Sequence, residues 1–226
     1  MTTPTPAPER NDAHSLAFRK AYRAAIPAGH VHLLIDMDGV LYNWDERFWN
    51  EVSARFPHVV IPDMSDRRSF DPTVSASGLT REQMLEVFDT PGFYLGLKPM
   101  PGAQEALREF ELMGLPRNVL SSPTTTNPDC ASNKYESMAR DFSPAWSDLT
   151  HLARDKTSTL GTLLVDDKPD IHGAWYYPTW DQVIFDWPYN EHVEGRRMFS
   201  WENWEESLPE IVEWRETNKR KELVIV

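Results

Sequence analysis

Three short strand-like stretches in this sequence each end in side chains able to do chemistry. Val31-His32-Leu33-Leu34-Ile35 is followed by Asp36 and Asp38, one residue apart, and then by Gly39. Arg117 to Leu120 leads into Ser121 and Ser122, and Thr162 to Val165 into Asp166 and Asp167, with Lys156 between the last two sets. Hard carboxylate oxygens are the ligands that Mg²⁺ prefers, and the ion usually keeps room for waters and a substrate phosphate oxygen. A serine hydroxyl and a lysine ammonium can hold the remaining phosphate oxygens. A free carboxylate can attack phosphorus and form an acyl phosphate. Together these residues suit phosphoryl transfer. Standing alone, Asp-x-Asp-Gly is explained equally well by an ordinary turn. Four elements in this order, each at a predicted strand end or in the loop before one, favour chemistry.

Such groups meet only if the strands lie side by side and parallel, because ligands in open α/β sheets sit beyond the carboxyl ends of the strands. The sequence predicts that arrangement. Val31 to Ile35 reads as a buried strand, and others are expected at Arg117–Leu120, Thr162–Val165 and Gln182–Phe185, with a sheet edge at Asp148–Leu152. Trp44, Phe48, Trp49, Val52 and Phe56 recur at helical spacing until Pro57. Thr80 and Gln83 mark a capping box at the start of a second short helix. Further helices are expected from Gly102 to Met113, Asn133 to Arg140 and Trp204 to Trp214. Strands alternating with helices predict a doubly wound α/β fold. Residues 44–98, broken by Pro62, Pro72 and Gly78, read as a helical cap inserted after the first strand, with 29–43 and 99–226 as the core. Residues 1–28 read as a flexible, solvated extension: Met1 to Arg10 is rich in Thr, Pro and Ala, and Ala13 to Ala25 can form an amphipathic helix.

Composition narrows the partners. A net charge of −12 over 226 residues argues against nucleic-acid polymers and anionic membranes. An anionic substrate therefore needs positive charge gathered locally, by a metal and a few Lys or Arg. No apolar run approaches the ~20 residues needed to span a bilayer. The single cysteine, Cys130, fits a reducing compartment, so a cytoplasmic location is expected. Nine tryptophans point to core packing or an aromatic-lined pocket.

The motifs Asp36-Met37-Asp38-Gly39-Val40-Leu41, Ser121, Lys156 and Asp166-Asp167 resemble the four motifs of the haloacid dehalogenase (HAD) phosphatase superfamily. More closely, the chain resembles the 5'(3')-deoxyribonucleotidases. That likeness runs from about Leu33 to Leu208, through Asp66-Arg67-Arg68, Phe93-Tyr94, Leu152-Ala153-Arg154-Asp155-Lys156-Thr157 and Ser200-Trp201-Glu202-Asn203-Trp204. It implies a HAD-like Rossmannoid parallel sheet with a small helical cap, and a phosphoric monoester hydrolase acting on nucleoside monophosphates. By the same resemblance Asp36 is the nucleophile and Asp38 the acid and base. Mg²⁺ is held by Asp36, Asp166 and the main-chain carbonyl of Asp38, with Asp167 close behind. Ser121, Ser122 and Lys156 bind phosphate. Trp44, Phe70 and Tyr94 contact the substrate, Phe88 matches the base pocket too, and Lys134 lies on the substrate side. Asp71 departs from the pattern, since relatives carry an aromatic there, so base and sugar preference do not carry over. A homodimer is compatible with the resemblance. Two alternatives stay open: a phosphatase of another small phosphoester, and a non-catalytic nucleotide-binding protein, whose mark would be loss of Asp36 or Asp38.

Overall fold

The structure, a computed structural model, describes residues 12–222, excepting the side chains of residues 12 and 219–222. The disorder expected for Met1 to Arg10 lies outside the described residues. In chain order the elements are α1 (Asp12–Ala25), β1 (Leu33–Ile35), α2 (Trp44–Arg55), α3 (Pro72–Ser75), α4 (Arg81–Phe88), α5 (Ala103–Leu112) and β2 (Arg117–Ser121). There follow α6 (Cys130–Asp141), α7 (Pro144–Asp148), β3 (Thr150–Leu152), β4 (Leu163–Asp166), β5 (Asp181–Phe185), β6 (Arg196–Met198), α8 (Trp204–Ser207) and α9 (Pro209–Glu222).

The strands form one parallel sheet in the order β3-β2-β1-β4-β5-β6. The chain builds outward from β1 through β2 to β3, then returns to lay β4, β5 and β6 on the other side. The order reverses between β1 and β4, which is where such a sheet opens a crevice beyond its strand ends. Ile35 is level with both Val119 and Val165, so Asp36 and Asp166 emerge side by side. Alternation along β1 sends Leu33 and Ile35 into the main core and Leu34 to the opposite face, against Leu120, Leu164 and Trp180.

Residues 44–98 add no strand to this sheet. Helix α2 starts shortly after the Asp36–Gly39 loop, its first turn capped by Asn43, whose side chain accepts from the Glu46 N–H at 3.1 Å. Phe48 on α2 packs 5.6 Å from Phe88 at the end of α4. The capping box of Thr80 and Gln83 is present as the sequence predicts.

Three features differ from expectation. First, residues 12–25 are not a free extension. Arg19 donates to the carbonyls of Pro178 (2.6 Å) and Trp180 (2.9 Å), Arg23 to that of Thr162 (2.7 Å), and both pair with Asp181. Phe18 packs on Trp175 with ring centres 5.0 Å apart, so α1 is anchored to the core. Second, the closing helix is interrupted at Leu208, because Pro209 lacks the N–H that would continue α8 and opens α9 instead. Third, β6 escaped detection because Arg196-Arg197-Met198 carries no apolar run. No helix among the described residues is long and apolar enough to cross a membrane.

Candidate active site

Asp36 leaves β1 with its N–H bonded to the Val165 carbonyl at 2.9 Å; beside it Asp166 ends β4 and Asp167 follows. One oxygen from each of these three buried carboxylates lies within 4.8 Å of the other two. Lys156 Nζ sits between two of them, 2.8 Å from Asp36 Oδ1 and 2.6 Å from Asp166 Oδ2. It is delivered by a tight turn over residues 156–158, capped by Asp155 through the Thr157 N–H at 3.0 Å. Burial opposes the Lys156 charge, but Asp166 and Asp36 outweigh it and hold the ammonium above the ordinary lysine range. Burial pushes the Asp166 carboxyl up to about 6, with Lys156 pulling against the rise and Asp36 adding to it. Burial, then the charges of Asp166 and Asp36, push Asp167 well above the usual carboxylate range.

This donor set fits a hard cation. Three buried carboxylates against one ammonium leave excess negative charge at low dielectric, and clustered oxygens are what Mg²⁺ or Ca²⁺ selects. The side chain of Asp38 stands outside this cluster. One consequence is measurable. A carboxyl whose folded pKa is raised stabilises the fold fully only below its unfolded value, and that contribution is lost as pH rises through the folded value. The metal-free protein is therefore expected to melt lower at pH 7.5 than at pH 5, across the Asp166 value of about 6. Added Mg²⁺ should raise the melting temperature more at the higher pH. An equal gain at both pH values would refute the cation assignment.

Asp38 belongs to a second cluster. Lys134 Nζ, on α6, donates to Asp38 Oδ2 at 2.6 Å and to Ser121 Oγ at 3.0 Å, and it lies 5.1 Å from the centre of the Tyr94 ring. Lys134, expected near the substrate, is buried between Asp38 and Ser121, both of which line the polar cavity. Burial raises the Asp38 carboxyl, Lys134 opposes the rise and Asp36 adds to it. Ser122 donates its own proton to the Ala153 carbonyl at 3.0 Å, which leaves its oxygen free only to accept.

Two cavities meet here. The polar one, about 230 Å³, is lined by Asp36, Ser121, Arg154 and Lys156. The other, about 270 Å³, is walled by Trp44, Phe70, Phe88 and Tyr94. Asp38, Phe70, Ser122 and Asp167 border both. The aromatics differ in freedom. Trp44 is stacked on Phe48 at 4.6 Å and meets Phe88 edge-on at 5.5 Å, whereas Phe70 is 42% exposed and presents a free face. Asp71 does not enter the cavity wall; it caps α3, accepting from the Thr73 N–H at 2.8 Å. Cys130 is buried, and burial pushes its thiol up, against any nucleophilic role.

A family model described as "5' nucleotidase, deoxy (Pyrimidine), cytosolic type C protein" matches residues 30–215. The chain belongs to this family. The human mitochondrial 5'(3')-deoxyribonucleotidase is 32% identical over 213 residues, covering 84% of this chain and 93% of that protein. The human cytosolic type is 33% identical over 190 residues, covering 80% and 94%. Among solved structures, a HAD family hydrolase from Deinococcus radiodurans R1, with bound phosphate and sodium, superposes with a TM-score of 0.50 at 14% identity, covering 83% of this chain and 98% of that one. At that identity the likeness shows the fold alone, a HAD-like α/β core.

Other residues of this deoxyribonucleotidase-family member border the site without having been singled out from the sequence. Tyr189 donates its hydroxyl to Asp167 Oδ2, and Asn190 Nδ2 donates to the Asp167 carbonyl at 2.8 Å. Asp45 and Arg67, a buried ion pair, line the aromatic cavity. Tyr189 lies four residues beyond the end of β5, in the loop that leaves the same sheet edge as Asp36. Arg67 lies in the Asp66-Arg67-Arg68 stretch that carries the likeness, but nothing local to that charged run tells that its guanidinium is buried against Asp45.

Proposed function

We propose that this protein is a Mg²⁺-dependent phosphatase that hydrolyses nucleoside monophosphates, deoxyribonucleotides preferentially, through a phosphorylated Asp36. The observation that carries the reading is the junction of the two cavities. A carboxylate and ammonium site suited to a phosphate shares Asp38 and Phe70 with an aromatic slot suited to a base. The human relatives are named as deoxyribonucleotidases, which supports the same substrate class.

In this mechanism the Asp36 carboxylate attacks phosphorus while the bond from phosphorus to the nucleoside oxygen breaks. Asp38 gives that oxygen its proton, so the nucleoside leaves neutral. The ionised Asp38 then takes a proton from water, which attacks the phosphorylated Asp36 and releases inorganic phosphate, restoring both carboxyl groups. Bound Mg²⁺ would supply charge neutralisation where an anionic carboxylate must approach an anionic phosphate. Lys156 serves the same end from the protein, and Lys134 holds Asp38 and Ser121 in register. The cap aromatics exclude water from the reacting group. The buried free cysteine suits a reducing compartment, and a cytoplasmic setting is part of this reading.

Purified protein assayed on a panel of nucleoside and sugar monophosphates, with Mg²⁺ and with EDTA, tests the whole. Nucleotides should lead and EDTA should silence the activity. A preference for sugar phosphates, or activity indifferent to EDTA, would overturn it. The slot has its own test. Trp44→Ala should reduce kcat/KM for a nucleotide by about five- to a hundred-fold, the ~1–3 kcal/mol of one stacking contact, and spare p-nitrophenyl phosphate. Because Trp44 also packs on Phe48, Trp44→Phe serves as the control that keeps the packing. Equal losses on both substrates would make Trp44 a packing residue only.

A further inference from the structure

One stretch near the site has no part in that mechanism: Trp187-Pro188-Tyr189-Asn190, just past β5. Its two rings are stacked, with centres 5.9 Å apart and planes 8° from parallel. On one side they face the cap. The Arg67 guanidinium lies 4.2 Å from the centre of the Tyr189 ring, and Phe70 meets that ring edge-on at 5.7 Å. Arg67 is itself held on several sides, by the ion pair with Asp45 of α2 and by bonds to the carbonyls of Ser69 (3.1 Å) and Phe70 (2.8 Å).

On the other side the rings face the catalytic loop and the acidic cluster. Trp187 Nε1 donates to the Gly39 carbonyl at 2.7 Å, and the Tyr189 hydroxyl donates to Asp167 Oδ2. Gly39 has a φ of +79°, and a Cβ there would lie 2.5 Å from Asp167 Oδ2. Gly39 is thus the residue that lets the loop backbone pass this close to the Asp167 carboxylate.

We infer that Tyr189 is a positioning residue that links the seating of the cap to the orientation of the Asp167 carboxylate, so that base binding and cation binding favour each other. The inference rests on the phosphatase reading above. Arg67 fixes the backbone at Phe70, a wall of the base slot, so a base in the slot favours the seated cap. The seated cap keeps the guanidinium on the Tyr189 face. That in turn keeps the phenolic O–H aimed at Asp167. Groups that orient a metal-binding carboxylate from outside are commonly worth 10–100-fold in metal affinity, as a general rule. Linkage makes the effect reciprocal: whatever Mg²⁺ gains from a bound base, the base gains from Mg²⁺.

The test is calorimetric titration of Mg²⁺ into the full chain, with and without saturating thymidine, which fills the base slot without supplying a phosphate. Tyr189→Phe removes one hydroxyl and keeps the ring. It should raise the Mg²⁺ Kd ~10-fold and abolish the tightening produced by thymidine. Arg67→Lys keeps a charge for Asp45 but loses the flat group on the ring. It should weaken Mg²⁺ less, and should cost nothing further when combined with Tyr189→Phe, because both act along one chain of contacts. An unchanged Kd in Tyr189→Phe, or additive losses in the double variant, would overturn the inference. The titration needs no turnover. A protein that shows these shifts but hydrolyses no nucleotide would sink the phosphatase reading and leave the role of Tyr189 standing.

Discussion

Asp36→Asn is expected to lower kcat/KM for nucleoside monophosphates by on the order of 10⁴-fold or more, with the fold intact. The amide matches the carboxylate in shape but cannot attack phosphorus. Stability should not suffer. Asp36 is one of three clustered buried carboxylates; neutralising it relieves repulsion with Asp166 and Asp167, and Lys156, which loses Asp36 as an ionic partner, keeps Asp166. The metal-free variant should melt at or above the wild-type temperature, as often happens when a functional group held at a cost is removed. Thermal melts and steady-state kinetics on the same sample check both halves. A variant that melts normally and turns over at near-normal rates would rule out Asp36 as nucleophile.

The second large effect is at Asp38. Asp38→Asn should cost ~10²–10⁴-fold on nucleotides, the usual worth of a general acid or base. The amide oxygen can still accept from Lys134, so the contact that holds Ser121 survives. The loss should depend on the leaving group. p-Nitrophenol leaves readily without a proton, so the first step survives with that substrate while water attack still lacks its base. Asp38→Asn should then show a burst of p-nitrophenol followed by slow turnover. A loss of equal size on both substrates with no burst would contradict the double role of Asp38.

Much of this site was legible because strand ends are legible. The strand-like stretches before Asp36, Ser121 and Asp166 announced a parallel sheet, and its topology brings their last residues to one edge. The structure keeps that edge and places Lys156 between two of the carboxylates. What stayed hidden depends on contacts between distant parts of the chain. Nothing local to Lys134 tells that its ammonium bridges Asp38 and Ser121, since the pairing appears only when α6 is laid beside β2. The buried pair of Asp45 and Arg67 is invisible for the same reason: each residue alone looks solvated. Asp71 is instructive in the opposite sense. Its difference from the relatives looked like a change in the base pocket, yet its side chain caps α3. Helix α1 was misjudged because Arg19 and Arg23 read as solvent-facing charges, whereas they hold main-chain carbonyls at the start of β4 and before β5.

The most direct measurement is to catch the phosphorylated enzyme. Wild-type protein and Asp38→Asn would be mixed with p-nitrophenyl phosphate and Mg²⁺, quenched in acid within the first turnover, and reduced with borohydride, which converts an aspartyl phosphate to homoserine. Peptide mass spectrometry should then find homoserine at position 36, in greater amount in Asp38→Asn, where the second step is slowed. Turnover with Asp36 unmodified in both proteins, or homoserine at any other aspartate, would contradict the account.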